Sequence, residues 1–179
     1  MTLKVPNIND FIERIGDTLA ASTLLFPQSV GGDESATDIV NQIIKYELPI
    51  PEATIEGPGP PHVFIKESFT PYIQKKQIGR NDLSVQGPEE HIMEFYIIVV
   101  AQGNSYKESQ IQIANITQAI VTILKSNLQL ADKDGKNHLC NILETIVVPY
   151  LIDTDQRDVI AKNIVVRPKV FVNLRTWIA

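Results

Sequence analysis

The sequence is poor in the features that most often announce a function. Cys140 is its single cysteine, so no intrachain disulfide can form, which suits a reducing compartment. Long apolar runs are missing. "IIVV" at 97–100 falls far short of the roughly 20 residues that cross a bilayer, and Asn, Gln and Thr interrupt the apolar pattern after it. The opening "MTLKVPNINDF" lacks the basic-then-apolar pattern of a signal peptide. A soluble, intracellular chain is therefore the expectation. There is no basic excess either. The net charge of −5 argues against a protein whose main work is gripping nucleic acid.

Motifs for chemistry are equally sparse. The joint "AQGNSYKES" holds one glycine, where a dinucleotide fingerprint needs three and a P-loop needs G-x-x-x-x-G-K-[ST]. Gly103 and Asn104 read as a tight turn, one that positive φ at glycine would serve. His62, His91 and His138 include no i, i+4 pair, and Cys140 has no second cysteine motif, so no metal site is expected. "DKDG" (132–135) fails as a calcium loop, because Leu130 and Asn141 would stand where carboxylates are required. Ser84, Ser105 and Ser109 lack the G-x-S-x-G context of an activated nucleophile. No enzyme and no cofactor are expected. Lys75, Lys76 and Arg80, with Tyr72 nearby, are of the right type to touch phosphates, yet three charges make a weak footprint in an acidic chain.

What is present is pattern. At 179 residues, with 44% hydrophobic and 21% charged residues, the chain suits one domain, or one with an elaborated end. Ile8, Phe11, Ile12, Ile15 and Leu19 recur at helical spacing and predict a first helix that ends before Pro27. A short second helix is expected from Ser35 or Thr37, with Ile39, Val40, Ile43 and Ile44 on one face. "PIPEATIEGPGPPH" cannot be regular structure, since its five prolines remove backbone donors. It is a linker or an extended arm lying on another surface, and Ile50, Ile55 and the prolines favour the arm.

Beyond the arm, "HVFIKESF" and "YIQKKQIG" read as two strands, the second more polar. "HIMEFYIIVVAQ" is the longest strand candidate. It turns apolar on both faces toward its end, as a central strand would. Ser105 and Glu108 form a capping box, and Ile113, Ile116, Ile120, Ile123, Leu124 and Leu128 continue it as a helix from about 105 to 129. "ETIVVPYLI" and "NIVVRPKVFVNLR" are strands; Pro149 confines the first to an edge or bulge, and Pro168 interrupts the second. The fold class is α+β: a mainly antiparallel sheet with a long amphipathic helix packed on one face, plus N-terminal helices. The other sheet face is expected to be exposed. Three segments are expected: N-terminal helices at 1–48, the proline-rich arm or linker at 49–61, and the α+β core at 62–179.

Charge is unevenly spread. Acidic residues dominate residues 1–60, whereas Lys162, Arg167, Lys169 and Arg175 are the only charged residues from 159 onward. Such asymmetry suits head-to-tail contacts between identical subunits, although scattered surface charge would look the same.

The second half resembles the tail-terminator (tail-completion) proteins of tailed viruses. The likeness lies in element order over about residues 60–175: the strand "HIMEFYIIVVAQ", a turn, the helix "SYKESQIQIANITQAIVTILKS", then "ETIVVPYLI" and "NIVVRPKVFVNLR". It implies a non-enzymatic virion protein, assembled in the host cytoplasm and placed in the neck. Such proteins form a ring, commonly a hexamer, that caps the tail tube and meets the head connector. DNA passes through only as cargo, and no membrane is involved. By position, the arm and the loops at 79–90 and 152–158 would reach neighbours. The interface residues this suggests are Pro58, Pro60 and Pro61 in the arm, and Lys75, Lys76 and Arg80 after it. Arg157, Arg167 and Arg175 complete the set. The alternative is a protein-binding adaptor of the same fold class that uses its proline-rich arm.

Overall fold

A computed structural model of the chain describes residues 8–47, 49, 59–77, 89–127, 129–131, 138–150 and 159–172. The elements run α1 (Ile8–Ala20), β1 (Gln42–Lys45), β2 (His62–Gln77), β3 (Glu89–Gln102), α2 (Tyr106–Ser126), β4 (Gln129–Ala131), β5 (His138–Tyr150) and β6 (Val159–Val172). Six strands form one sheet in the order β1-β2-β3-β6-β5-β4. Every pairing is antiparallel except β1 with β2. The α+β class with a mainly antiparallel sheet is therefore what the chain adopts.

One face of the sheet carries both helices. Ile8, Phe11, Ile12, Ile15 and Leu19 of α1 bury together with Ile113, Ile116, Ile120, Ile123 and Leu124 of α2. Beneath them lie Val63 and Ile65 of β2, alternate β3 residues from Met93 to Ala101, and Ile164 and Val166 of β6. The alternation read in "HIMEFYIIVVAQ" thus sorts β3 correctly, because successive strand side chains point to opposite faces. The opposite face is not simply open. Ile44, Phe64, Ile98 and Val100 form a second buried cluster there, flanked by the partly buried Tyr96, Tyr150, Val159 and Ala161.

Four expectations need correction. No second helix forms after Ser35. The chain turns up to Asn41 and enters β1, so that Ile43 packs on the helix-side core and Ile44 joins the opposite cluster. The two strands expected after the arm are one, β2, whose register against β3 shifts between Glu67 and Tyr72. That bulge absorbs Pro71 and leaves Phe69 85% exposed with Lys66 Nζ 5.0 Å from its ring centroid. Pro168 does not break β6; the register shift falls on β5 opposite it, between Ile142 and Glu144. Finally, Gly103 has no positive φ; Gly32 is the described glycine with that conformation. Pro149 meets its expectation, since β4 pairs only with His138–Asn141 and leaves that end of β5 at the sheet edge among the described residues.

Candidate interaction surfaces

The strand–helix joint is built from its own side chains. Ser105 caps α2, its Oγ accepting from Glu108 N at 3.3 Å. Glu108 Oε2 reaches back to accept from Asn104 N at 2.9 Å, one residue earlier than in the standard capping box. Ser109 Oγ accepts from Gly103 N at 2.8 Å and donates to Ser105 O at 3.1 Å. A Cβ on Gly103 would stand 2.7 Å from Glu108 Cβ and 3.0 Å from Ser109 N, so close approach selects glycine here. An open groove of about 860 Å³ runs alongside, lined by Gln102, Gly103, Asn104, Glu108, Ile111, Gln112 and Asn115. Two of the turn's donors, Gly103 N and Asn104 N, are already spent on Ser109 and Glu108.

A second constellation ties α1 to β1. Lys45 Nζ contacts Glu13 Oε2 at 2.5 Å and Asp17 Oδ1 at 2.8 Å. Its stem crosses the helix at Gly16, where a Cβ would collide with it. Tyr46, with φ of 68°, donates from its hydroxyl to Glu13 Oε1 at 2.8 Å. These hydrogen bonds, from Lys45 first and Tyr46 second, hold the Glu13 carboxyl below its ordinary range. Burial alone would lower the Lys45 pKa, but the bonds to Asp17 and Glu13 outweigh it and raise it. Burial and the Glu13 partner push Tyr46 up to about 12.

On the helix-free face a polar group interrupts the apolar one. Glu94, buried in the middle of β3, accepts from Ser68 Oγ at 2.8 Å and from Arg167 Nε at 3.0 Å. Ser68 also lies 3.2 Å from the Tyr96 hydroxyl and accepts from Thr70 N at 3.1 Å, which fixes the start of the bulge. The sequence carried a signal for this pair that pattern-reading passed over: an acid in an otherwise apolar strand calls for a cation on the neighbouring one. Asn163, buried on the same face, has no hydrogen-bond partner for Oδ1.

The expected interface residues scatter. Arg167 is engaged with Glu94. Lys75 and Lys76 lie in β2 opposite His91 and Glu90, toward the same end of the sheet as Arg167, though their side chains lie outside the described set. Pro60 and Pro61 sit at the opposite end, where Pro61 O accepts from Asn41 N at 2.8 Å. Pro58, Arg80, Arg157 and Arg175 fall outside the described residues, as do most of the arm and the loops at 79–88 and 151–158. Among the described residues no group of three His, Cys, Asp or Glu side chains is placed to hold a metal, and His62 packs edge-on against Phe64. No described helix is long and apolar enough to cross a membrane.

No protein-family model matches the chain, and no curated protein does. Among solved structures it is similar to a chain from "Virion of native gene transfer agent (GTA) particle". The identity is 12%, the TM-score 0.45, and the alignment covers 94% of this chain and 100% of that one.

Proposed function

We propose that this chain is a non-enzymatic virion structural protein, one that assembles as a ring to cap a tail tube and join it to the head connector. The observation that carries the reading is the unit β3–turn–α2–β5–β6. It follows the element order of the tail-terminator resemblance and closes into one sheet with α2 packed on it. The sheet order adds support. Acidic α1 packs toward the β1–β2 side of the sheet, and β6, which brings Lys162 and Arg167, lies on the other side of β3. The acids of α1 and the cations of β6 are thus separated across the sheet, which suits head-to-tail contact. Partners in this role are other copies of the chain, a tube protein and a connector protein, with DNA as passive cargo.

Size-exclusion chromatography with light scattering, followed by negative-stain microscopy, tests the reading. Closed rings of identical subunits are expected, commonly six. A strict monomer at high concentration, with no ring on the grid, overturns it.

A further inference from the structure

We propose that the hydrogen-bonded group Ser68–Glu94–Arg167 is the register key of this sheet: it sets how much of β2 is looped out beside β3, and thereby which residues of their outer halves face each other. Those outer halves carry little register information of their own. β2 ends in "YIQKKQ" (72–77) and β3 begins with "EEH" (89–91), so neither stretch alternates apolar with polar residues. Strands of that kind are weakly specified and prone to slip. Here Gln74 pairs with Ile92, Lys75 with His91, Lys76 with Glu90 and Gln77 with Glu89. Something nearer the core must choose that register.

The choice is made where β2 departs from β3. From Glu67 to Gln74, β2 takes seven steps while β3 takes three, from Phe95 to Ile92, so β2 carries four extra residues. Glu94 stands on β3 opposite the excursion from Ser68 to Pro71. Its Oε1 accepts from Ser68 Oγ at 2.8 Å, and its Oε2 accepts from Arg167 Nε at 3.0 Å. Ser68 Oγ also accepts from Thr70 N at 3.1 Å, which turns the excursion outward and leaves Phe69 exposed beside Lys66. Arg167 sits where β3 and β6 keep one register, between the pairs Phe95–Val166 and Ile92–Lys169. On its other side β5 shifts against β6 between Ile142 and Glu144, and Glu144 is the residue paired with Arg167. Two strands thus change register beside the same buried pair, while β3 and β6, which carry it, run on in step.

Apolar packing alone cannot make this choice. Side chains alternate with period two, so a one-residue slip turns a strand's faces over, but a two-residue slip preserves them. Hydrogen bonds discriminate where packing does not, because Ser68 and Thr70 satisfy their partners at one length of excursion. Burial points the same way. Glu94 is 7% exposed, and a buried ion pair is weak evidence for stability, since desolvation offsets its attraction. Fixing register is the best-attested use of such buried polar groups. With two residues fewer looped out, Gln74 would face Glu90; with two more, Lys76 would face Ile92. The key acts within one chain, so it stands or falls separately from the ring.

Disulfide trapping in the full chain, in a Cys140→Ser background, tests it. Directly opposite strand residues lie within disulfide reach, whereas diagonal neighbours stand about 7–8 Å apart and do not. Gln74→Cys with Ile92→Cys reports the register described here. Gln74→Cys with Glu90→Cys, and Lys76→Cys with Ile92→Cys, report the two slips. Under mild oxidation only the first pair should close in the parent. Ser68→Ala should admit a slip, read as closure of a diagonal pair, and Ser68→Thr, which restores the hydroxyl, should suppress it. Glu94→Leu with Arg167→Met should admit the slip without lowering the melting temperature. Diagonal pairs that stay open in both folded variants overturn the proposal. So does closure of a diagonal pair in the parent, where the network is intact. A double variant that no longer folds also overturns it, because the pair would then be a device of stability.

Discussion

At the residue scale, Gly103 is chosen by crowding, and its backbone conformation is ordinary. Replacing a glycine by alanine at an ordinary φ stabilises a protein by about 0.4–1 kcal/mol through the unfolded state. At Gly103 the new methyl would meet Glu108 Cβ at 2.7 Å, a stem atom with no freedom to swing away. Gly103→Ala is therefore expected to destabilise by about 1–3 kcal/mol, as overpacking does. Ser105→Ala, which removes the cap on Glu108 N, should cost about 0.5–2 kcal/mol. Urea denaturation measures both, and a Gly103→Ala protein more stable than the parent would show that the joint has slack. The capping pair was legible from S-x-x-E alone, because it depends on residues three apart. The clash at Gly103 was not, because it depends on how closely α2 folds back over the turn.

At the element scale, the strand–turn–helix unit was readable almost to its ends. The helix expected at about 105–129 is Tyr106–Ser126, and the long strand candidate is β3. β1 was missed for a physical reason. Ile39, Val40, Ile43 and Ile44 satisfy helical spacing, and only pairing with β2, some twenty residues later, turns the stretch into a strand. What secures so short a strand is its tie to α1. Lys45 has one quarter of its side chain exposed, whereas Glu13 and Asp17 are more than half exposed. Each pair is accordingly worth only about 0.2–1 kcal/mol. The signs set the pH window. Glu13 is depressed, so its contribution is present above its ordinary value of 4.5 and is lost as pH falls through the lower folded value. Lys45 is raised, so its contribution is full below 10.5 and is lost as pH rises through the higher folded value. Tyr46 acts in the same direction, being lost between its ordinary 10.0 and about 12. The stability difference between the parent and Lys45→Met should therefore form a plateau around neutral pH and shrink at both extremes. Thermal unfolding across pH measures it, and a difference independent of pH would mean that the Lys45 stem packed on Gly16 is all that matters.

At the scale of the whole molecule, the sheet sets the acids of α1 apart from the cations of β6. Asp10, Glu13, Asp17, Asp33, Glu34, Asp38 and Glu47 all precede β2, against Arg14 and Lys45. Within the described side chains of β5 and β6, Lys162 and Arg167 are the charged ones, and Arg167 is already committed to Glu94. Lys162 lies opposite Pro149, near the edge that β4 leaves uncovered. A head-to-tail contact would bring that edge to the acids of α1 on the next subunit. Attraction between exposed charges weakens once their separation exceeds the Debye length, about 10 Å at 0.1 M salt. Apolar contacts behave in the opposite way, since excluded salts strengthen burial. Assembly driven by this polarity should therefore loosen as sodium chloride rises, and Lys162→Glu should weaken it at low salt while leaving the monomer's melting point nearly unchanged. Sedimentation velocity across a salt series reads both effects. Oligomers that tighten with salt, or that ignore Lys162→Glu, would assign the interface to apolar surface such as Phe69 or Val147, which stand 85% and 42% exposed. Subunit order in the proposed ring would then owe nothing to the division of charge along the chain.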